Sequence, residues 1–343
     1  MGRIYPTGTM SRIFRGFIRA IRSVAIFALK NFDFEKAIDQ QTGRLGDWPT
    51  TSYNSTVMPP SPRVLLSIDY EPWFALTRRY DSLVGPQQRR ELDGGFSQHA
   101  IDPIIDMLGK AKASFYLVGE IADWYPEIPL KIAARGHELG LHCQIHRPLV
   151  ETDELEKDIR ASQKWRAKYN VRGYRAPMVG IREEAYPLLE YYGFRYSSSI
   201  YAPAGTLLKK GGIWELPVST LSMFGSPQNL SAPRAFSTEL LLGGEVPYGS
   251  SFMVGLLSDS VLRILERQLK AGCSPVIILH PYELVRPESF VRRLWPDLAS
   301  HPLLFPFTLN KSRFLKKLLR NFPVSPLAAY LDEALALNEA AHV

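Results

Sequence analysis

Between residues 64 and 280, short apolar runs of strand length alternate with stretches of helical periodicity, and this alternation limits the possible folds more than any other feature of the chain. Residues 64–68, 114–118, 138–142, 173–177, 195–199, 214–218 and 275–280 read as strands. Residues 98–111, 181–192 and 258–271 carry apolar side chains at helical spacing, for example Ile101, Ile104, Ile105 and Leu108. Residues 119–135 read as helical with interruptions at Pro126 and Pro129, and the charged stretch 151–168 as an exposed helix. Such alternation predicts parallel strands with helices outside, and about seven strands suffice for a barrel.

The polar residues fall at strand ends. Asp69 and Glu71 close the first strand, His142 another and His280 the last, and the C-terminal face of a β/α barrel is where loops assemble an active site. Residues 200–257, rich in Gly, Pro and Ser, are the least regular part and are expected to include loops over that face.

With 343 residues the chain can bury one large core. A hydrophobic content of 45% and a charged content of 22% describe a soluble globular protein. Cys143 and Cys273 are too few for a disulfide framework and fit a reducing compartment. The net charge of +7 is concentrated near the ends. Residues 1–32 hold Arg3, Arg12, Arg15, Arg19, Arg22 and Lys30 without an acid, and residues 311–320 hold Lys311, Arg313, Lys316, Lys317 and Arg320 without one. The remainder is mildly acidic, a pattern that suits membrane-surface contact better than a nucleic-acid groove over the fold.

Within 10–32, Ile13, Phe14, Phe17, Ile18, Ile21, Val24, Ala25, Ala28 and Leu29 recur at helical spacing beside a stripe of four arginines. The uncharged run from Ser23 to Leu29 is too short to span a bilayer or to form a signal-peptide core. Residues 1–32 are therefore expected to form an in-plane amphipathic helix on an anionic membrane; a packed helix and a mitochondrial-type targeting peptide are the competing readings. Residues 33–62 form a turn-rich linker, 63–310 the barrel, and 311–343 a C-terminal helical segment. In that segment Phe314, Leu315, Leu318, Leu319 and Phe322 line one side. Closing the barrel and touching a membrane are equally open to it.

His142 and His146 can converge on one point if the chain makes a single helical turn between them. Glu71 with these two histidines supplies one oxygen and two nitrogens, a set that leaves a position open on zinc or a similar ion. Such an ion polarises a carbonyl and acidifies water. Asp69, two residues from Glu71 in an extended strand end, points to the same side and can take the proton. Arg175 can pair with Asp69 and keep it ionised. His280 can protonate a departing amine. On the residues alone, helix capping by Asp69 and Glu71, a structural ion pair at Arg175 and a loop hydrogen bond at His280 remain open.

The succession Asp69-Tyr70-Glu71, Ser114 to Val118, Ala133-Ala134-Arg135-Gly136-His137-Glu138, His142-x-x-x-His146, Gly173-Tyr174-Arg175-Ala176-Pro177 and Leu279-His280-Pro281-Tyr282-Glu283 resembles the polysaccharide deacetylases, the NodB-homology group of carbohydrate esterases. The resemblance runs over about residues 63–285. It implies a distorted (β/α)7 barrel, here with basic amphipathic segments near both termini, and metal-dependent hydrolysis of an N-acyl group from an amino sugar. By motif, Asp69 matches the base, Glu71, His142 and His146 the metal ligands, Arg175 the residue orienting the base and His280 the acid. Three positions depart from the pattern. The metal carboxylate follows an Asp-x-Glu pattern with Pro72 next, Met178 stands where many members have Tyr and offers only its backbone N–H to an oxyanion, and Ser197 replaces an Asp and is assigned no role.

The expected activity is removal of an acetyl or formyl group, with a divalent metal, zinc first, from an amino sugar on a lipid-linked or cell-envelope precursor. The enzyme is expected to be peripheral on the cytoplasmic face of the membrane, its cationic segments meeting anionic lipid. The alternatives are deacetylation of a soluble oligosaccharide or polysaccharide, and a silent carbohydrate-binding barrel. A serine hydrolase lacks its Gly-x-Ser-x-Gly elbow, and no motif supports nucleic-acid binding.

Overall fold

The computed structural model describes residues 59–341 apart from 84, 150, 223–239 and 241–243. The amphipathic segment 1–32 and nearly all of the linker 33–62 lie outside the described residues.

Among the described residues, β1 is Val64–Tyr70, β2 Ser114–Val118, β3 Glu138–Cys143, β4 Gly173–Tyr174, β5 Tyr196–Ser197, β6 Tyr201–Pro203, β7 Leu208–Lys210, β8 Ile213–Glu215, β9 Val218–Ser222, β10 Glu245–Val246, β11 Val276–Leu279 and β12 Val324–Ser325. Seven strands run parallel in the order β11-β1-β2-β3-β4-β5-β8, with β7 antiparallel on the edge of β8 and β12 beside the first residues of β1. A smaller sheet runs β10-β9-β6. The principal helices are α1 Phe96–Leu108, α2 Gly119–Trp124, α3 Glu127–Ala134, α4 Thr152–Ala161, α5 Ala185–Tyr191, α6 Ser251–Leu257, α7 Asp259–Lys270, α8 Ser312–Asn321 and α9 Leu327–Ala341. The α/β barrel expectation is borne out. Pro126 separates α2 from α3, whereas Pro129 sits in the first turn of α3, where a missing N–H costs no hydrogen bond.

The barrel wall is covered on both faces, which is why β1, β2 and β11 are buried at every residue and are largely apolar. Val64, Leu66, Ile68 and Tyr70 pack outward among the helices, and Leu65 packs inward with Tyr116, Tyr196, Val276 and Ile278. The two-residue period sends Ser67 and Asp69 the same way as Leu65. Gly140 and Gly173 lie on this inward rank; a Cβ at Gly140 would come within 2.5 Å of the Tyr116 ring, and one at Gly173 within 2.3 Å of the Tyr196 hydroxyl. The two tyrosines fill the space these glycines leave, and their hydroxyls bond at 3.1 Å.

Closure is made by Gly249. Its N–H donates to Ser219 O and its carbonyl accepts from Ile278 N, which joins β9 to β11. A Cβ there would lie 2.3 Å from Val276 O, so only glycine fits the bridge.

Three expectations change. The strand read over 214–218 ends at Glu215: Leu216 N bonds Ser197 O, but Val218 N bonds Ile200 O, so the chain leaves β5 for β6 at Pro217, which has no N–H to continue the ladder. The stretch 151–168 is not an exposed helix but two helices, α4 and Gln163–Lys168, with Leu155, Ile159 and Trp165 buried. In α8, Phe314, Leu315 and Leu318 are buried in the main core, so its apolar face packs on the barrel and is not free for a membrane. Beyond it, Leu327 and Leu331 of α9 join the inner cluster beneath Leu65 and Val276, and Leu327 N and Ala328 N donate to Ser114 and Glu138. The last helix thus plugs the N-terminal end of the barrel. Among the described residues no helix is long and apolar enough to cross a membrane.

Candidate active site

Four of the inward ranks end, at the C-terminal face, in a polar side chain. Leu65 and Ser67 lead to Asp69 and then Glu71, Val276 and Ile278 to His280, Gly140 to His142, and Gly173 to Arg175. Convergence of these residues follows from strand register rather than from loop chance.

Glu71 Oε2 lies 2.9 Å from His146 Nε2 and 3.5 Å from His142 Nε2. The three ligand atoms fall within 4.8 Å of one another. The chain between the histidines is not the helical turn expected: His142 ends in β3, and residues 144–147 form a bend. Asp158 of α4 holds that bend open, accepting Gln144 N at 2.6 Å and Ile145 N at 3.4 Å, so those amides have a side-chain partner instead of a helical carbonyl. Burial pushes the Asp158 carboxyl up to about 6 despite these hydrogen bonds.

The donor set fits a divalent ion of borderline softness. His142 Nδ1 lies 2.7 Å from Arg175 O, a group that only accepts, so Nδ1 carries the proton and the Nε2 lone pair faces Glu71. Tyr282 donates to Glu71 Oε1 at 2.7 Å, leaving Oε2 for the site. Burial alone would raise the Glu71 carboxyl, but His146, His142 and His280 reverse this and hold it well below the usual range. Burial would lower His146, and the Glu71 charge raises it.

Asp69 stands beside this cluster. Arg175 Nη1 reaches its two carboxylate oxygens at 3.3 and 3.4 Å, and Nη2 donates to Ser198 at 2.8 Å and Ser67 at 3.4 Å. The guanidinium lies over the Tyr116 ring at 4.6 Å and is fully buried. Ser197 donates to Ser199, which in turn accepts Ala176 N at 2.8 Å, so the serine run steadies the segment behind Arg175. Met178, with φ +59°, is 57% exposed at the rim.

His280 Nε2 is 3.9 Å from Glu71 Oε1, and Nδ1 is 3.3 Å from Glu283 Oε2. Its ring stacks on Tyr282 and meets Phe307 edge-on. Burial lowers the imidazole pKa, but Glu283, Glu71 and Asp69 raise it overall. The structure therefore brings all six sequence-derived residues to one place. It adds Asp158, Tyr282, Glu283 and Lys311, which the sequence reading passed over. Tyr282 and Glu283 belong to the motif Leu279-His280-Pro281-Tyr282-Glu283, whereas Asp158 lies among surface acids in the sequence and Lys311 among surface bases.

The fold and site define an α/β barrel whose C-terminal face carries a carboxylate beside a possible metal-binding Glu/His/His set. The polysaccharide deacetylase family model matches residues 93–197. A peptidoglycan deacetylase-like protein of Gibberella zeae is 25% identical over 148 residues, covering 40% of this chain and 44% of that protein, so the match spans less than half the relative's length. Among solved structures, one from Mycobacterium smegmatis assigned to the polysaccharide deacetylases has a TM-score of 0.44 at 17% identity, over 79% of this chain and 97% of that one. Another, a mutant form of the peptidoglycan deacetylase PdaC of Bacillus subtilis, has a TM-score of 0.40 at 16% identity, over 83% and 97%. The resemblance drawn from the motifs is borne out over residues 93–197, where the polysaccharide deacetylase model matches.

Proposed function

We propose that the protein is a metal-dependent hydrolase that removes an N-acetyl or N-formyl group from an amino sugar carried on a lipid-linked or cell-envelope precursor. The observation that carries the reading is the meeting of the Asp69–Arg175 pair with Glu71, His142, His146 and His280 on one barrel face. A divalent ion held by Glu71, His142 and His146, zinc by preference for this donor set, supplies Lewis acidity when bound. Asp69 takes the proton of the attacking water, with Arg175 fixing the carboxylate's direction through a buried ion pair. His280, its Nε2 turned toward the site, gives a proton to the nitrogen of the breaking amide. The Met178 backbone N–H is assigned to the developing oxyanion. The N-terminal basic pattern supports a peripheral position on an anionic membrane, at the cytoplasmic face, and hence a lipid carrier.

The test is release of acetate or formate, followed by proton NMR, from membrane glycolipid extracts and from N-acetylchitopentaose. Asp69→Asn is expected to lower turnover about 10²–10⁴-fold, the usual share of a general base, while metal content stays as in the parent. Equal release by parent and variant would overturn the assignment of Asp69. A metal-replete parent that binds these glycans without releasing either acid would favour the silent barrel.

A further inference from the structure

Behind His280, on the side away from Glu71, lies a second buried cluster that the proposed chemistry does not use. Glu283 is fully buried and Lys311 is 3% exposed. One Glu283 oxygen accepts from the Lys311 ammonium and the Ser251 hydroxyl, and the other accepts His280 N at 2.9 Å and faces His280 Nδ1 at 3.3 Å. Lys311 also donates to Ser251 at 3.1 Å, and its backbone N–H bonds Glu283 O at 2.7 Å. The cluster joins the turn after β11, the start of α6 and the residue that opens α8.

A buried ion pair is a weak stabiliser. Desolvating two charges costs several kcal/mol per ion, and apolar replacements of similar volume are often neutral or better. Its place here is informative because the carboxylate oxygen that accepts the His280 backbone N–H also lies 3.3 Å, at ion-pair distance without a hydrogen bond, from the imidazole nitrogen opposite the one that faces the site. A ring flanked by Tyr282 and Phe307 can still turn about its own axis, and a charged acceptor on the Nδ1 side selects one orientation.

We propose that Glu283 and Lys311 are positioning residues for His280: the carboxylate holds the Nδ1 edge of the ring, and the ammonium, brought in by the C-terminal helical segment, holds the carboxylate. This rests on the reading of His280 as the proton donor. It gives the basic run at 311–320 a role at the active site for its first residue, while the rest of that run covers the barrel.

The experiment is ¹⁵N NMR of histidine-labelled full-length protein, with His280 assigned from His280→Gln, alongside kinetics on N-acetylchitopentaose. In the parent and in Lys311→Arg, His280 is expected to keep a proton on Nδ1 in both its neutral and its charged form, with a fixed ring, the charged form adding the Nε2 proton that it donates. In Glu283→Gln and Lys311→Met that signature is lost, and kcat falls about tenfold or more while KM stays within about twofold, because binding is untouched and only proton delivery is misaligned. Glu283→Gln is isosteric and carries the test if Lys311→Met fails to fold. Unchanged His280 shifts in folded Glu283→Gln would overturn the proposal, whatever the loss of stability. Shifts that move in a parent inactive on every glycan would uphold the positioning and remove instead the reading of His280 as a proton donor.

Discussion

At the Asp69–Arg175 pair the side chains are chosen by geometry as much as by charge. The planar guanidinium spreads over Asp69, Ser198, Ser67 and the Tyr116 face at once, which a lysine ammonium on the same stem cannot reproduce. A different single residue contributes to acid sensitivity. His137, 6% exposed at the foot of β3, accepts Ala113 N at Nδ1 and stands edge-on to Phe115. Burial, helped by Lys112 and Arg135, pushes it down to about 4 from an ordinary 6.5. The unfolded chain therefore binds more protons than the folded one between those values. Stability is full above pH 6.5 and falls as pH drops through 6.5 toward 4, by of order 2–3 kcal/mol at about 1.4 kcal/mol per unit. NMR titration of His137 in the native protein is expected to give an apparent pKa near 4; a value near 6.5 would refute the assignment.

At the scale of the element, the inward ranks of β3 and β4 alternate small and large so that Tyr116 and Tyr196 cross the barrel beneath Arg175. Gly140→Ala places a methyl 2.5 Å from the Tyr116 ring, which is pinned by Arg175 above and the Tyr196 hydroxyl beside it. Overpacking of this kind costs about 1–3 kcal/mol. Urea denaturation is expected to show that loss, and turnover should fall with it because the ring supports the guanidinium. A variant as stable and as active as the parent would mean that the ring shifts freely. Strand positions were legible because β1, β2 and β11 are covered on both faces and are largely apolar along their length. The bend between His142 and His146 was not legible. Its shape depends on the Asp158 carboxylate, which lies further along the chain on another element, whereas a four-residue spacing by itself matches a helical turn equally well.

For the whole molecule, the barrel is shut at its N-terminal end by α9 and along its wall by Gly249, and α8 packs its apolar face on the core. The proposed membrane contact therefore falls to residues 1–32. The full chain is expected to co-sediment with vesicles containing phosphatidylglycerol, to bind phosphatidylcholine vesicles weakly, and to be released as salt shortens the Debye length from about 8 Å at 0.15 M toward about 3 Å at 1 M. Deleting residues 1–32 is expected to abolish that binding. Unchanged binding after the deletion would overturn the membrane assignment.

The sequence by itself determined the β/α order and the residue types at the strand ends, because burial on both faces and the two-residue period write themselves directly into local pattern. It also determined the motif set, since metal-ligand and proton-transfer chemistry admit few side chains. The tertiary structure decided the rest. Whether a basic amphipathic stretch such as α8 meets lipid or core, and whether a lysine such as Lys311 is solvated or buried against Glu283, depends on what surface lies opposite. That is a property of segments distant in the chain, which no local pattern encodes.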